Sequence, residues 1–430
     1  PTQMNRPTLV AALGLSLAPA VACAQFFNDF DQPPHDYWTA PMNDPMSKLV
    51  RQIESGELKL DEEPGLPMVK RLLAELDVPV ESQVLVFSRT SLQRGAVSSS
   101  NPRAIYFNED SYVGWMPGGR IEIASSDPER GAVFFFQREL DQRGGPLFFR
   151  DKVCIQCHAG SATNFLPGLL GRSVYPDSRG RSLKSVDSFE RVGHTVPLRD
   201  RWGGWYVTGG HEGLRHMGNA LAKRGDNGVE IDRTEKAALD SLEQFFDVGK
   251  YPYEGSDIVA LLVMDHQISM HFELMEAQYV VRQLIADAGW KDGEVPAELP
   301  EEFAKELETA AGEVARYLLF QNEAPLGDSQ LEGDPGFREQ FAANRRVDEK
   351  GRSLKDFNLS GRLFEYRCSY MIHSQSFEAL HPLLKDAVFA ELRTVLSAED
   401  PREGFEYLGS DERQAIAEIL GDTVPGFAKG

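Results

Sequence analysis

The stretch "RAIYFNEDSYVGWMPGGRIEIASSDPERGAVFFFQ", residues 103–137, decides the fold class of this 430-residue chain. Short runs of β-branched and aromatic residues are separated in it by Pro-Gly-Gly and Asp-Pro, which favour turns. A further run of the same kind, "QVLVFSRTS" at 83–91, precedes it across an Asn-Pro pair. The pattern is typical of short strands that follow one another closely, and it predicts a small antiparallel sheet.

Apolar residues at three-to-four spacing predict helices on both sides of this sheet. Two short helices are predicted before it, and several more from about residue 233 to the C-terminus. The predicted ranges are 45–58, 67–76, 234–246, 256–288, 301–321, 336–344, 377–396 and 411–420. The segment 256–288 is apolar on most sides, so we expect it to be the central helix. The fold class is therefore predicted as α+β, a β-containing region followed by a mainly helical C-terminal domain.

The N-terminus has the composition of a secretory signal peptide. Arg6 supplies a positive charge before the apolar residues 9–18, and the small residues around Ala22 and Ala24 offer cleavage points. We therefore expect export to the periplasm, with no transmembrane segment after cleavage, because the apolar stretch is too short to span a bilayer. Cys23 leaves a lipoprotein anchor open as an alternative.

Pattern changes along the chain predict four parts. Residues 1–24 are the signal peptide, 25–80 an N-terminal arm with short helices, 81–225 a β-containing domain, and 226–430 a helical domain. Within the second half of the β-containing part, residues 160–219 show little periodicity. A segment of that length without regular structure usually has a function of its own.

The net charge limits the classes of partner. The chain has 45 basic and 66 acidic residues, which gives a formal net charge of −21. The averaged field repels phosphate groups, so nucleic acid and anionic membranes are not expected partners. An acidic surface could instead serve solubility or the docking of a basic redox partner.

The sequence "DKVCIQCHAG", residues 151–160, contains Cys154, Cys157 and His158 in the order Cys-x-x-Cys-His. Only four cysteines and nine histidines occur in the chain, so random placement would give this order with a probability of about one in a thousand. A zinc site would need a second pair of ligands, and Cys368 with His373 is the one remote pair that contains a thiol.

A thioredoxin-type dithiol is the second alternative, but it has no use for the histidine that follows the second cysteine. Covalent attachment of haem uses all three residues. Cys154 and Cys157 would tether the porphyrin through its vinyl groups, and His158 would bind the iron. The motif therefore predicts one haem c.

The motif "CIQCH" resembles the haem-binding signature of c-type cytochromes. Three longer stretches, "NPRAIYFNEDSYVGW", "RWGGWYVTGGHEGLRHMGN" and "YRCSYMIHSQSFEAL", are similar to a group of large bacterial proteins known only as cytochrome c domain-containing. The resemblance covers most of residues 80–400 and implies a mono-haem c region, but it brings no known reaction. Unlike dihaem peroxidases, this chain has a single Cys-x-x-Cys-His.

The identity of the sixth iron ligand decides between classes of function, because a strong ligand gives an electron carrier and an open position lets small molecules bind. The loop "HEGLRHMGN" offers His211, His216 and Met217. His266 is a further candidate on the long helix, where Met270 lies on the same face, and an open position is the remaining alternative. His194 is a loop candidate.

Two groups of residues near these candidates have interpretations of their own. The aromatic residues Trp202, Trp205 and Tyr206 are interpreted as core packing, and contact with the haem ring or electron relay is the alternative. Arg201 and Arg215 could pair with haem propionates.

Three functional hypotheses follow. The first is an exported cytochrome that acts by electron transfer or as a haem-based oxidoreductase, with a redox partner protein or a small-molecule oxidant or substrate as its partner. The second is a peroxidase-like or oxygenase-like enzyme with an open distal site, in which Glu212 or a histidine moves protons. The third is a gas-binding haem sensor. Cys368 is interpreted as a buried free cysteine, and no catalytic residue is assigned.

Overall fold

The computed structural model describes residues 30–138, 146–185, 192–210, 214–226, 228–231, 239–291, 294–327 and 330–429. The predicted signal peptide with Cys23, the distal candidate His211 and the proton-transfer candidate Glu212 lie outside these residues. The described chain combines helices with antiparallel sheets, which confirms the α+β class.

The described helices and strands have the following bounds. The helices are α1 (Pro45–Ser55), α2 (Leu66–Glu75), α3 (Lys152–His158), α4 (Ile258–Asp287), α5 (Glu301–Leu318), α6 (Pro335–Ala342), α7 (Gln375–Glu378), α8 (Pro382–Ser397) and α9 (Ser410–Thr423). The strands are β1 (Val84–Val86), β2 (Arg103–Phe107), β3 (Ser111–Trp115), β4 (Glu122–Asp127), β5 (Gly131–Gln137), β6 (Phe148–Arg150), β7 (Val174–Pro176), β8 (Ser182–Ser185), β9 (Trp205–Tyr206), β10 (Ala222–Gly225) and β11 (Gly228–Ile231).

The main sheet has seven strands in the order β6-β5-β4-β3-β2-β1-β9. Its described pairs are antiparallel, and β1 to β5 coincide with the runs that the sequence singles out. The edge strands β6, of three residues, and β9, of two, were not predicted. Strands β7 with β8 and β10 with β11 form two separate hairpins.

Both faces of the main sheet are covered. Since successive side chains of a strand point to opposite faces, each face collects every second residue. One face packs against α1 and α2; its residues include Leu85, Ala104, Val113, Ile123 and Val133. The other face shares a core with α4; its residues include Val84, Phe107, Tyr112, Phe134 and Trp205. Burial on both sides explains why the strands read as nearly continuous apolar runs.

Helix α4 is the centre of the molecule, as predicted. The carboxylate of Asp257 caps it by accepting a hydrogen bond from the amide of Ala260 at 2.9 Å. Most of its 30 residues are buried, including the consecutive polar residues Asp265, His266 and Gln267. It packs on the sheet on one side and on α5 on the other, so a single core joins the β-containing part to the helices.

Two predicted helices differ in the structure. The prediction of a helix at 234–246 is wrong for its described part, 239–246, which forms turns. Its apolar spacing arises instead because Leu242 and Phe246 pack under the sheet. The prediction of one helix at 377–396 is also wrong, because two helices, α7 and α8, replace it. Proline is favoured in the first turn of a helix, and Pro382 is the first residue of α8.

The remaining predicted helices correspond to α1, α2, α4, α5, α6 and α9 with small shifts at their ends. Among the helices of the described ranges, none combines the length and the apolar character that crossing a bilayer requires.

Candidate functional site

The Cys-x-x-Cys-His motif forms the short helix α3, directly after edge strand β6. Asp151 caps this helix: its carboxylate accepts a hydrogen bond from the amide of Val153 at 2.9 Å. Residues three apart on a helix lie on the same side, so Cys154 and Cys157 share a face. His158 is the last residue of the helix. Both cysteines are free thiols.

The imidazole of His158 is held in one orientation. Its Nδ1 lies 2.9 Å from the carbonyl oxygen of Gly168, and because a carbonyl can only accept, Nδ1 carries the proton. The lone pair is therefore on Nε2, and no described residue hydrogen-bonds that atom. The ring of Phe134 packs beside the imidazole with the centroids 4.3 Å apart. Histidines that bind metals are commonly fixed in this way by their other nitrogen.

His158 is neutral at physiological pH. Burial lowers its pKa to about 4, and the positive charges of Arg103 and Arg172 act in the same direction, whereas the hydrogen bond to Gly168 opposes them. The neutral imidazole is the form that ligates metals.

The loop after α3 returns to His158. The amide of Gly168 donates to the carbonyl oxygen of His158 at 2.9 Å, and the hydroxyl of Thr163 contacts the same oxygen at 3.2 Å. A Cβ on Gly168 would lie 3.1 Å from Cγ2 of Thr163, so the close return requires glycine or a small shift. Sequence reasoning missed Gly168, because a backbone carbonyl carries no residue-type signal.

The two cysteines differ in environment. Cys154 is half-buried and packs against the core that the sheet shares with the helices, and Cys157 is exposed. Burial raises the pKa of Cys154 to about 12, and the charges of Asp151 and Glu122 add to this. A reactive dithiol has a lowered thiol pKa, so this alternative loses support.

The remote pair required for a zinc site is not assembled. Cys368 is fully buried and free, which confirms its interpretation as a buried cysteine, and burial raises its pKa. His373 instead contacts the hydroxyl of Thr423 at 3.1 Å. Within the described ranges, no group of three or more His, Cys, Asp or Glu side chains could hold a metal ion. A haem iron does not need such a group, because the porphyrin supplies four of its ligands.

Two of the loop candidates for the sixth ligand are fully buried. The amide of Met217 donates to the carbonyl oxygen of Arg201 at 3.0 Å. The sulfur of Met217 lies 3.7 Å from the hydroxyl of Ser173. His216 accepts a hydrogen bond on Nδ1 from the amide of Gly218 at 3.0 Å. A neutral imidazole that accepts on Nδ1 carries its proton on Nε2, so His216 presents no free lone pair in this state.

His266 is engaged through both ring nitrogens. Its Nδ1 lies 2.9 Å from Nδ1 of His194, and its Nε2 lies 2.7 Å from the hydroxyl of Ser369. His194 Nε2 lies 3.3 Å from the carbonyl oxygen of Gln321 and must donate to it. His266 then donates from Nδ1 to His194 and accepts from Ser369, which satisfies the pair with both rings neutral. Burial lowers the pKa of both imidazoles, most strongly for His266.

Trp202, Trp205 and Tyr206 are buried core residues. The indole of Trp202 donates to the carboxylate of Asp265 at 3.0 Å, and that of Trp205 donates to the carbonyl oxygen of Arg172 at 2.8 Å. Arg201 is buried beside Asp265 and so is not available to an exposed propionate, whereas Arg215 is exposed.

Comparisons of the chain with protein-family models, with curated proteins and with solved structures found no match.

Proposed function

We propose that this chain is an exported mono-haem c protein that acts in redox chemistry, by electron transfer or as a haem-based oxidoreductase. The observation that carries the proposal is the hydrogen bond from His158 Nδ1 to Gly168, because it directs a neutral Nε2 away from the backbone at the end of a Cys-x-x-Cys-His helix. The sheet with α3 would form the haem c region, and the helices would enclose it.

The residues present fit a covalently bound haem. Cys154 and Cys157 are free, lie on one helix face and would form the two thioether bonds. His158 would be the proximal ligand, with its ring fixed by Gly168 and Phe134. A haem bound there would supply an iron that cycles between the ferrous and ferric states. His158 itself is half-buried, and the return of the loop at Gly168 covers its backbone carbonyl.

Among the candidates in the described part of the chain, we propose Met217 as the sixth ligand. Both nitrogens of His266 are hydrogen-bonded, and the proton of His216 lies on Nε2, whereas the thioether of Met217 has only a weak contact with Ser173. Gly168, which supports His158, and Ser173 are five residues apart, so their Cα atoms are at most about 18 Å from each other. The supports of both ligands thus belong to one short segment.

The attachment test is expression of the full chain in a bacterium with an active cytochrome c maturation system. The mature protein is expected to have the mass of the processed polypeptide plus one haem, and the colour is expected to survive acid extraction. The double variant Cys154→Ala/Cys157→Ala is expected to lose all covalent haem. Cys368→Ala is the matched control and is expected to keep it. A colourless wild-type protein with the bare polypeptide mass contradicts the proposal.

Carbon monoxide separates electron transfer from ligand chemistry. If Met217 is bound, the ferrous wild-type protein is expected to bind carbon monoxide slowly, and Met217→Ala is expected to bind it at least tenfold faster. Rapid binding by the wild type would instead favour a peroxidase-like or oxygenase-like enzyme, or a gas sensor. Turnover with peroxide then distinguishes the enzyme from the sensor.

A further inference from the structure

The described chain buries an ion pair between the central helix and the loop that precedes Met217. The guanidinium of Arg201 lies 3.7 Å from the carboxylate of Asp265, and their side chains are 4% and 2% exposed. Desolvating two charges is expensive, and hydrophobic residues of similar size often stabilise a core as well or better. Stability alone therefore does not explain why this pair is buried.

The pair joins the loop at 194–202 to α4. Arg201 donates from Nε to the carbonyl oxygen of Val196 at 2.8 Å and from Nη2 to that of His194 at 2.9 Å. Asp265 also accepts from the indole of Trp202, which has a left-handed backbone with φ of 65°. One carboxylate thus holds two consecutive residues of the loop, and one guanidinium holds two earlier ones. The backbone at Arg201 and Trp202 is fixed relative to α4.

The fixed backbone in turn positions Met217. The carbonyl oxygen of Arg201 accepts the amide of Met217, and the amide of Gly203 donates to Ser173 Oγ at 2.9 Å. That hydroxyl lies beside the sulfur of Met217. A Cβ on Gly203 would lie 2.9 Å from the Met217 methyl group, so the side chain occupies the space that this glycine leaves. The backbone and the sulfur of Met217 are both held by residues 201–203 and their partner Ser173.

We propose that Arg201 and Asp265 are positioning residues that set the location of the Met217 sulfur, and thereby decide whether the sixth position of the iron is closed or open to small ligands. The inference rests on the proposed function, with Met217 as the ligand. Neither residue contacts the haem in this scheme; both act through the backbone of the loop.

The test is the rate of carbon monoxide binding to the ferrous holoprotein. Asp265→Asn retains an acceptor for Trp202 and removes the charge, and it is expected to bind carbon monoxide at least tenfold faster than the wild type. Arg201→Lys keeps the charge but cannot reach two carbonyl groups and the carboxylate together, so a smaller increase is expected. Both variants are expected to lower the reduction potential, because loss of a thioether ligand does so.

Two controls measure the effect of disturbing a buried polar residue elsewhere. Arg413→Lys alters a buried arginine that donates to the carbonyl oxygens of Leu408 and Ala398, far from the loop in sequence. Asp127→Asn alters a buried carboxylate at the end of β4, which accepts hydrogen bonds from the amides of Glu129 and Arg130. Both are expected to lower the melting temperature while the carbon monoxide rate and the reduction potential stay at wild-type values.

Two outcomes overturn the inference. The first is that Asp265→Asn and Arg201→Lys bind carbon monoxide as slowly as the wild type while Met217→Ala binds it rapidly. The second is that the wild type and Met217→Ala bind it equally fast, because Met217 is then not the ligand. If Asp265→Asn yields no holoprotein, Trp202→Phe removes the indole hydrogen bond to Asp265, together with part of the buried ring, and is expected to raise the rate; an unchanged rate overturns the inference. Failure of the proposed function is distinct, since it leaves the wild type without haem.

Discussion

At the scale of single residues, the ion pair of Glu109 and Lys355 is the clearest test of buried charge away from the haem motif. The ammonium of Lys355 contacts the Glu109 carboxylate and Asn344, and it lies 4.4 Å from the ring centroid of Phe341. Burial alone would raise the pKa of Glu109, but Lys355 outweighs it and the pKa is lowered. The negative charge of Glu109 therefore depends on its partner.

Lys355→Met is expected to lower the free energy of unfolding by about 2–4 kcal/mol, because it leaves the Glu109 carboxylate without its cation. The double variant Glu109→Gln/Lys355→Met removes both charges and is expected to recover most of the loss. Urea denaturation measures both effects, with Lys305→Met on the exposed face of α5 as the control. A double variant as unstable as the single one would contradict this account.

The pKa of Asp110 shifts in the opposite direction to that of Glu109. Burial, and then the charge of the neighbouring Glu109, raise its pKa to about 7. In the unfolded chain this carboxyl loses its proton near pH 4, so its contribution to stability falls as the pH rises from about 4 to about 7 and is constant above.

Asp110→Asn removes this penalty and keeps an acceptor for Gln375. The variant is expected to be more stable than the wild type by about 1–3 kcal/mol at pH 8 and nearly equal to it at pH 4. Denaturant unfolding across this range measures the difference, and Asp386→Asn, on the surface, is expected to show none. A difference that does not change with pH would rule out the titration of Asp110 as its cause.

Residue spacing predicted the thiols and the imidazole of the candidate site but not what holds them. The sequence identifies Cys154, Cys157 and His158 because the order Cys-x-x-Cys-His is itself a recognisable motif. The sequence does not identify Gly168 as the partner of His158, since every residue type has a backbone carbonyl. The pairing of Arg201 with Asp265 is equally hidden, because contacts between distant segments leave no local pattern.

At the scale of elements, helix α3 shows how a short helix depends on its cap. Seven residues form too few internal hydrogen bonds to be stable alone, and Asp151 satisfies one of the free amides at its start. Asp151→Ala is expected to lower the free energy of unfolding by about 1 kcal/mol, and Asp151→Asn, which keeps a capping oxygen, by much less. Hydrogen exchange at the Val153 amide checks this directly; equal protection in the two variants would contradict it.

The elements themselves divide into those that local pattern determines and those that packing determines. Helix α4 was predicted because it is long enough to show its period, and strands β1 to β5 because each lies in a β-branched or aromatic run bounded by turn residues. A helix was predicted at 234–246 because the apolar residues that anchor the turns at 239–246 are spaced by three to four. The break between α7 and α8 follows from Pro382, which was visible in the sequence but was placed inside one helix.

At the scale of the whole molecule, one hydrophobic core crosses the boundary predicted at residues 225 and 226. It contains Phe134 of the sheet, Trp202 of the loop, Leu261 of α4 and Leu392 of α8. The hydroxyl of Tyr279 on α4 also donates to the carbonyl oxygen of Arg130 beside β5. Helix α4 is buried on nearly all sides, so exposing any one side to water would cost a large amount of hydrophobic free energy.

Residues 30–225 and 239–429 are therefore expected not to fold when they are expressed separately, because each would expose its half of this core. In the full chain, Leu261→Ala is expected to lower the free energy of unfolding by about 2–5 kcal/mol. Since the core is shared, the sheet and the helices should unfold in the same transition. Hydrogen exchange at the amides of β3 and of α5, measured at increasing urea concentrations, follows the sheet and the helices separately. Separate midpoints for the two probes would show that the halves are independent, and the shared core would then not govern stability.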